Sequence, residues 1–194
     1  MKLPAHRRVV GVNVRRVVIG TGPAGESVVV SDESAPRSHD FVHTPGYGYA
    51  IMWDSPADLR LPFDGIDRSL ATDIFFPMPG ETRFLAMSIP PDSLFTSAEF
   101  DAAAAAAEAI EYTPGAGEIF AGEIFEVDNP DMHETPTVDY SIVFDGEVWL
   151  ELPGGGEAHL TRGDVVVLQD ARHAWRNKTD SPATMYGVMV GANK

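Results

Sequence analysis

This 194-residue sequence predicts an all-β fold, a sandwich or barrel, from three observations. Short β-branched and aromatic runs recur through its second half, tight-turn residues punctuate them, and only one segment has helical character.

In chain order, Val12 to Ile19 and Ser27 to Ser31 are β-branched runs around Gly20-Thr21-Gly22-Pro23, which predicts two strands joined by a turn. From Asp32 to Asp73 the chain is rich in Pro, Gly, Ser and Asp, with one apolar stretch at Tyr49 to Trp53. That composition predicts an arm or long loop with a single strand, which either wraps a partner subunit or covers a pocket mouth. Phe84 to Ile89 is the next strand, closed by Pro90-Pro91. Thr96 and Glu99 then form a T-x-x-E capping box, with Phe95 and Phe100 placed as a hydrophobic staple, so a helix is expected to start there. Phe100, Ala103, Ala107 and Ile110 share one face of it, the back is acidic, and Pro114-Gly115 stops it. A solvated peripheral helix lying on the barrel fits this pattern.

Beyond the helix come five short strands: Tyr140 to Phe144, Glu147 to Leu152, Ala158 to Leu160, Asp164 to Leu168 and Thr184 to Val190. Asp145-Gly146, Pro153-Gly154-Gly155-Gly156 and Arg162-Gly163-Asp164 are the turns between the first four.

The length fits one domain, residues 1–194, with a full core. Hydrophobic residues at 44% and charged residues at 22% are ordinary for a soluble protein. No apolar run reaches the roughly 20 residues of a membrane span. The basic start lacks an apolar signal region, so a cytoplasmic location is expected. With no cysteine, disulfides and thiolate chemistry drop out, and any metal must be held by His and carboxylate. The formal charge of −15 would repel a phosphate backbone or an anionic bilayer, which argues against nucleic acid or membrane as partner.

Two stretches carry a resemblance. Met132-His133-Glu134-Thr135-Pro136-Thr137-Val138-Asp139, running on to Gly146, resembles the first cupin motif, with Asp139 at its Glu position six residues before Gly146. Gly163 to Asn177 resembles the second, with Gly163, His173 and Asn177 matching. The sequence is similar to small cupins with M-H-x-T in the first motif and H-A-W-R-N in the second, over roughly residues 82–192. The resemblance implies a cupin-type double-stranded β-helix (jelly-roll) barrel: residues 82–192 form its core, and 1–81 form an N-terminal β arm with added strands. It also implies a homodimer. It departs from the pattern at Thr135, which replaces the second histidine, and at Gln169 and Ala171, in a loop one residue short.

What the resemblance leaves is a metal set of His133, Asp139 and His173, two imidazoles and a carboxylate suited to divalent Fe, Mn, Ni or Zn. Extended backbone would put His133, Thr135, Thr137 and Asp139 on one face and Glu134 on the other. Glu134 is a reserve ligand and the candidate catalytic proton-transfer group. Thr135, Tyr140, Arg172 and Trp175 are candidates for the substrate pocket, the arginine for a substrate carboxylate. His39 and His43 read as exposed loop residues and His159 as a surface residue. Gly20-x-Gly22-x-x-Gly25 lacks the βαβ context of a dinucleotide site. The function expected is a metal-dependent enzyme acting on a small organic molecule (lyase, decarboxylase, dehydratase, isomerase or dioxygenase), the alternative a non-catalytic small-molecule-binding cupin.

Overall fold

The computed structural model describes residues 12–71, 74–113, 115–116 and 131–194. Its first hairpin pairs β1 (Arg15–Thr21) with β2 (Ser27–Ser34), the Gly20 to Gly25 stretch supplying the turn. β3 (Arg37–Asp40), β4 (Gly48–Ser55) and β5 (Thr82–Ile89) follow, then α1 (Ala102–Tyr112). β6 (Thr137–Asp145), β7 (Glu147–Glu151), β8 (Glu157–Thr161), β9 (Val165–Gln169), β10 (Ala174–Arg176) and β11 (Ala183–Gly191) complete the order.

A six-stranded antiparallel sheet runs β3-β4-β5-β11-β6-β9, and a three-stranded sheet runs β10-β7-β8. From β6 onward the chain changes sheet at every step except β7–β8, crossing at the β6–β7, β8–β9, β9–β10 and β10–β11 connections, and so winds the two sheets together. This all-β arrangement is the double-stranded β-helix the sequence predicts. The first crossing depends on Gly146, whose φ of +79° suits glycine and whose added Cβ would lie 3.0 Å from Ala183 Cα.

Two regions depart from expectation. The segment from Asp32 to Asp73 holds two strands rather than one, because Arg37–Asp40 pairs with Gly48–Ile51 despite its polar composition. α1 begins later than the T-x-x-E pattern implies. Asp101 is its N-cap, accepting from Ala103 N and Ala104 N, and Thr96 is not a cap. Phe95 and Phe100 still meet edge to face at 5.3 Å. The buried face of α1 is Ala105 and Glu108, while Ile110 is exposed. Propensity alone could not orient this alanine-rich helix, since nearly every position is equally apolar; the one ionic anchor did.

Inside, the barrel is filled from both ends. Phe41, Tyr49, Ile51, Phe75, Phe76, Leu85 and Met189 form one cluster. Ile89, Val143, Val148, Ala183 and Met185 form the other, with Trp175 against it. Ile51 is fully buried in the first, where truncation to Ala would cost about 2–5 kcal/mol. Between the clusters β6 brings two polar side chains inward: Asp139, opposite Met189 of the first cluster, and Ser141, opposite Gly187. Among the described residues no helix is long and apolar enough to cross a membrane.

Candidate metal and ligand site

His133 and His173 are brought together by the backbone before their side chains meet. An isolated antiparallel bridge links them, His133 N donating to His173 O at 2.9 Å and His173 N to His133 O at 2.8 Å. Their rings lie 4.6 Å apart, centre to centre, tilted by 51°. The short loop before His173 therefore does not displace it. The loop and the first motif approach each other through main-chain pairing, which tolerates a change of side chain at Gln169 and Ala171.

Each imidazole is held the same way. His133 Nδ1 lies 2.9 Å from Asp131 O, and His173 Nδ1 lies 2.7 Å from Ala171 O. A carbonyl can only accept, so Nδ1 carries the proton in both rings and Nε2 keeps its lone pair. This is the orientation in which an imidazole serves as a metal ligand, its other nitrogen fixed by a backbone carbonyl. The two carbonyls are aimed by left-handed backbone: Asp131 has φ +69°, and Asp170, the neighbour of Ala171, has φ +47°. Aspartate tolerates that region better than most side chains. Asp131 was missed in the sequence, where its only signal was an acidic residue two positions before a motif histidine.

Asp139 points inward on β6, and its Oδ1 is buried with no hydrogen-bond partner. Burial pushes its carboxyl above the ordinary range, and the Thr137 hydroxyl and the charge of His133 only partly offset that. His173 is 3% exposed, and burial, followed by the charge of His133, lowers it to about 4 against the backbone bond to Ala171. Burial likewise raises the Asp131 carboxyl. Burial thus favours the neutral form of His173, the form in which an imidazole nitrogen can bind a metal.

The other expected residues divide. Thr135 is buried, with its hydroxyl 2.6 Å from that of Thr137. Where a second motif histidine would stand, the chain has a closed hydroxyl pair. Trp175 packs edge-on to His173 at 5.7 Å and joins the core. Arg172 is half-buried beside His173. Tyr140 faces away, 51% exposed on the outer side of the sheet, because it alternates with inward Asp139. Glu134 also turns away and is held by Lys194 Nζ at 2.7 Å, so the structure does not bring it to the histidines. Asn177, a motif match, is structural. It is fully buried, with its Nδ2 donating to Ile89 O and Ser181 O and its Oδ1 accepting from Thr179.

Two histidines outside the motifs behave differently from each other. His39 lies in β3, with Nε2 2.9 Å from Glu108 Oε1 and its ring stacked on Tyr112 at 3.7 Å. The sequence expectation of an exposed loop fails here, because β3 pairs with β4 and faces α1. His43 is exposed as expected, as is His159, which pairs with Glu147 at 2.8 Å.

The site's chemistry is therefore two oriented imidazoles and one desolvated carboxylate without a full set of partners. Among the described residues no three His, Asp or Glu side chains already converge on one ion. The donors fit a divalent metal in kind, and Asp139 Oδ1 is the buried oxygen that lacks a partner.

Likeness to known proteins concerns this same architecture. Solved structures similar to it include the Cupin_2 domain of an XRE family transcriptional regulator from Enterobacter cloacae, 15% identical, with a TM-score of 0.35, covering 58% of this chain and 83% of that one. A putative ethanolamine utilization protein Q from Salmonella typhimurium covers 93% of this chain and 98% of its own, at 10% identity and a TM-score of 0.41. At those values neither informs individual site residues. Among curated proteins, phomopsin biosynthesis cluster protein C′ from Diaporthe leptostromiformis is 44% identical over 59 residues, 30% of each chain. Oryzines biosynthesis cluster protein J from Aspergillus oryzae is 42% identical over 59 residues, 29% of this chain and 33% of that one. The matches thus span about a third or less of these relatives' length. No family model matches the chain.

Proposed function

We propose that this protein is a metal-dependent cupin enzyme acting on a small organic molecule, with His133, His173 and Asp139 as the protein ligands. The observation that carries the reading is the matched pair of imidazoles, each with Nδ1 on a carbonyl two residues back, beside the unpartnered Asp139 Oδ1. Leaving a buried carboxylate oxygen without a donor costs stability, and a cation supplies the missing partner. A divalent metal bound there would contribute Lewis acidity toward a substrate oxygen.

The chain's own part is to hold and exclude. Asp131 O and Ala171 O fix the ring tautomers, Trp175 and the adjoining core keep water from the His173 side, and Asp139 Oδ1 is placed to take a ligand or a proton. Glu134 has no part in this reading, since Lys194 holds it outward. The names of the two curated relatives point to a biosynthetic intermediate as the class of substrate.

The test is elemental analysis of protein purified without added metal, then titration with Fe(II), Mn(II), Ni(II) and Zn(II). Near-stoichiometric metal, lost in both His133→Ala and His173→Ala, is expected. A wild-type protein that carries none and takes up none removes the metal and leaves the second reading, a cupin that binds its small molecule without catalysis. The closed Thr135–Thr137 pair, which supplies no ligand, is what favours that alternative.

A further inference from the structure

The β1–β2 hairpin forms a two-stranded sheet of its own. Its base is seated on the outer face of β4 and β5, where Val12, Val14 and Ala35 pack on Ala50, Met52 and Ala86. One long side chain ties it down further. Arg16 of β1, 6% exposed, donates through Nη1 to Met52 O at 3.3 Å and to Ser69 Oγ at 3.1 Å, and pairs through Nη2 with Asp67 Oδ2 at 2.6 Å. Its Nε is buried and has no partner. The guanidinium carbon lies 5.7 Å from the centre of the Trp53 ring, within cation–π reach.

Next to these contacts a groove of about 380 Å³ lies between hairpin and sheet. Arg16 lines it, together with Val17 and Ile19 of the hairpin, Trp53 and Phe84 of the sheet, and Phe63. Trp53 and Phe63 meet at 5.7 Å between ring centres. Phe84 shares its register row with Val188 and Tyr140, whereas Asp139 is opposite Met189. Side chains alternate between the two faces of a sheet, so the groove opens on the face away from the histidines.

We infer that this groove is a second ligand site, for a flat apolar molecule bearing one neutral acceptor oxygen, a ketone, ester or amide carbonyl that takes the remaining N–H of Arg16. Size fits, since small-molecule pockets run from about 300 to 1,000 Å³. So does the lining, which is apolar and aromatic around a single polar group. A buried donor without an acceptor costs stability and is rare in a folded chain, and a bound carbonyl supplies the acceptor. Charge decides between a carbonyl and an anion. Asp67 already balances Arg16, so a carboxylate would add an uncompensated negative charge to a chain of formal charge −15.

Three probes of similar shape test this on the full chain: acetophenone, which carries a ketone, ethylbenzene, which has no acceptor, and benzoate, which is an anion. Binding is followed by tryptophan fluorescence and by the assigned Nε–H signal of Arg16 in proton–nitrogen NMR. Acetophenone is expected to saturate at one equivalent, to shift the Arg16 signal, and to bind about threefold or more tighter than either other probe. Ile19→Asp, at a wall position 59% exposed, should weaken acetophenone about tenfold with an unchanged circular dichroism spectrum. Arg16→Lys keeps a cation for Asp67 but lacks Nε, and should remove the preference for acetophenone over ethylbenzene. Absence of saturable acetophenone binding overturns the inference. So does binding that leaves the Arg16 signal in place or survives Ile19→Asp, or an affinity for ethylbenzene or benzoate within threefold of acetophenone's or above it. The readouts involve neither His133 nor His173, so this inference and the proposed function fail separately.

Discussion

Glu108 on α1 and Asp139 in the barrel are both acids largely withdrawn from water, and they are treated in opposite ways. Glu108, 8% exposed, accepts from Val42 N at 2.9 Å and His43 N at 2.7 Å and pairs with His39 Nε2 at 2.9 Å. Burial pushes its carboxyl up, but these bonds outweigh burial and the net shift is downward. Asp139 keeps one oxygen without a partner, and its net shift is upward. A satisfied carboxylate stabilises a fold; one left short of partners costs stability. The first clamps the helix to the β3–β4 loop, and the second lies close enough to His133 to feel its charge.

The comparison is most exposed to failure at Glu108. Glu108→Ala should destabilise the protein by about 1–3 kcal/mol in urea unfolding, since it removes the acceptor of two loop amides and the partner of half-buried His39. A loss near zero would mean the clamp is idle.

Acid should separate the two regions next, in metal-free protein. His173 has an ordinary value of 6.5 and about 4 when folded, so below 6.5 the unfolded chain binds the proton more readily. Stability from this group is full above pH 6.5 and drains as pH falls toward 4, about 3 kcal/mol in all at 1.36 kcal/mol per unit. Glu108, lowered from 4.5, holds its contribution above that value and gives it up only at lower pH. Thermal melts from pH 7 to 4 with His173→Gln alongside check this; equal slopes for the variant and the wild type would count against it.

Asp139→Asn should act with the opposite sign from Glu108→Ala. Removing an ill-partnered charge should leave metal-free protein equally stable or firmer by about 1 kcal/mol, while divalent-metal affinity, read by calorimetry, drops about tenfold or more. Marked destabilisation would put Asp139 in the same class as Glu108. The smallest effect is expected at the exposed Arg15–Asp32 pair: Arg15→Ala should stay within about 0.5 kcal/mol in the same urea assay.

Much of this was legible beforehand. β-Branched runs and Gly-containing turns marked all of the second-half strands except β10, whose Ala-Trp-Arg has no pattern of its own and pairs only through Glu151, Leu150 and Trp149. β3 was hidden for a similar reason, since Arg-Ser-His-Asp is paired by its neighbour rather than by its composition. In the site, alternation placed Thr135 and Asp139 on one side and Glu134 on the other. The same alternation turns Tyr140 outward, although its place next to a motif residue suggests a pocket role.

Local chemistry therefore determined the strands, the turns and which residue types could meet a metal, because side-chain alternation and turn conformation act over a few residues. Only the tertiary structure decided that His133 and His173 are backbone partners across 40 positions of chain, that Asp131 and Ala171 orient them, that Glu108 rather than alanine anchors the helix, and that an apolar groove lies between the β1–β2 hairpin and the sheet. Each of these depends on which distant segments pack together, and desolvation and pairing across such contacts have no counterpart in the local sequence.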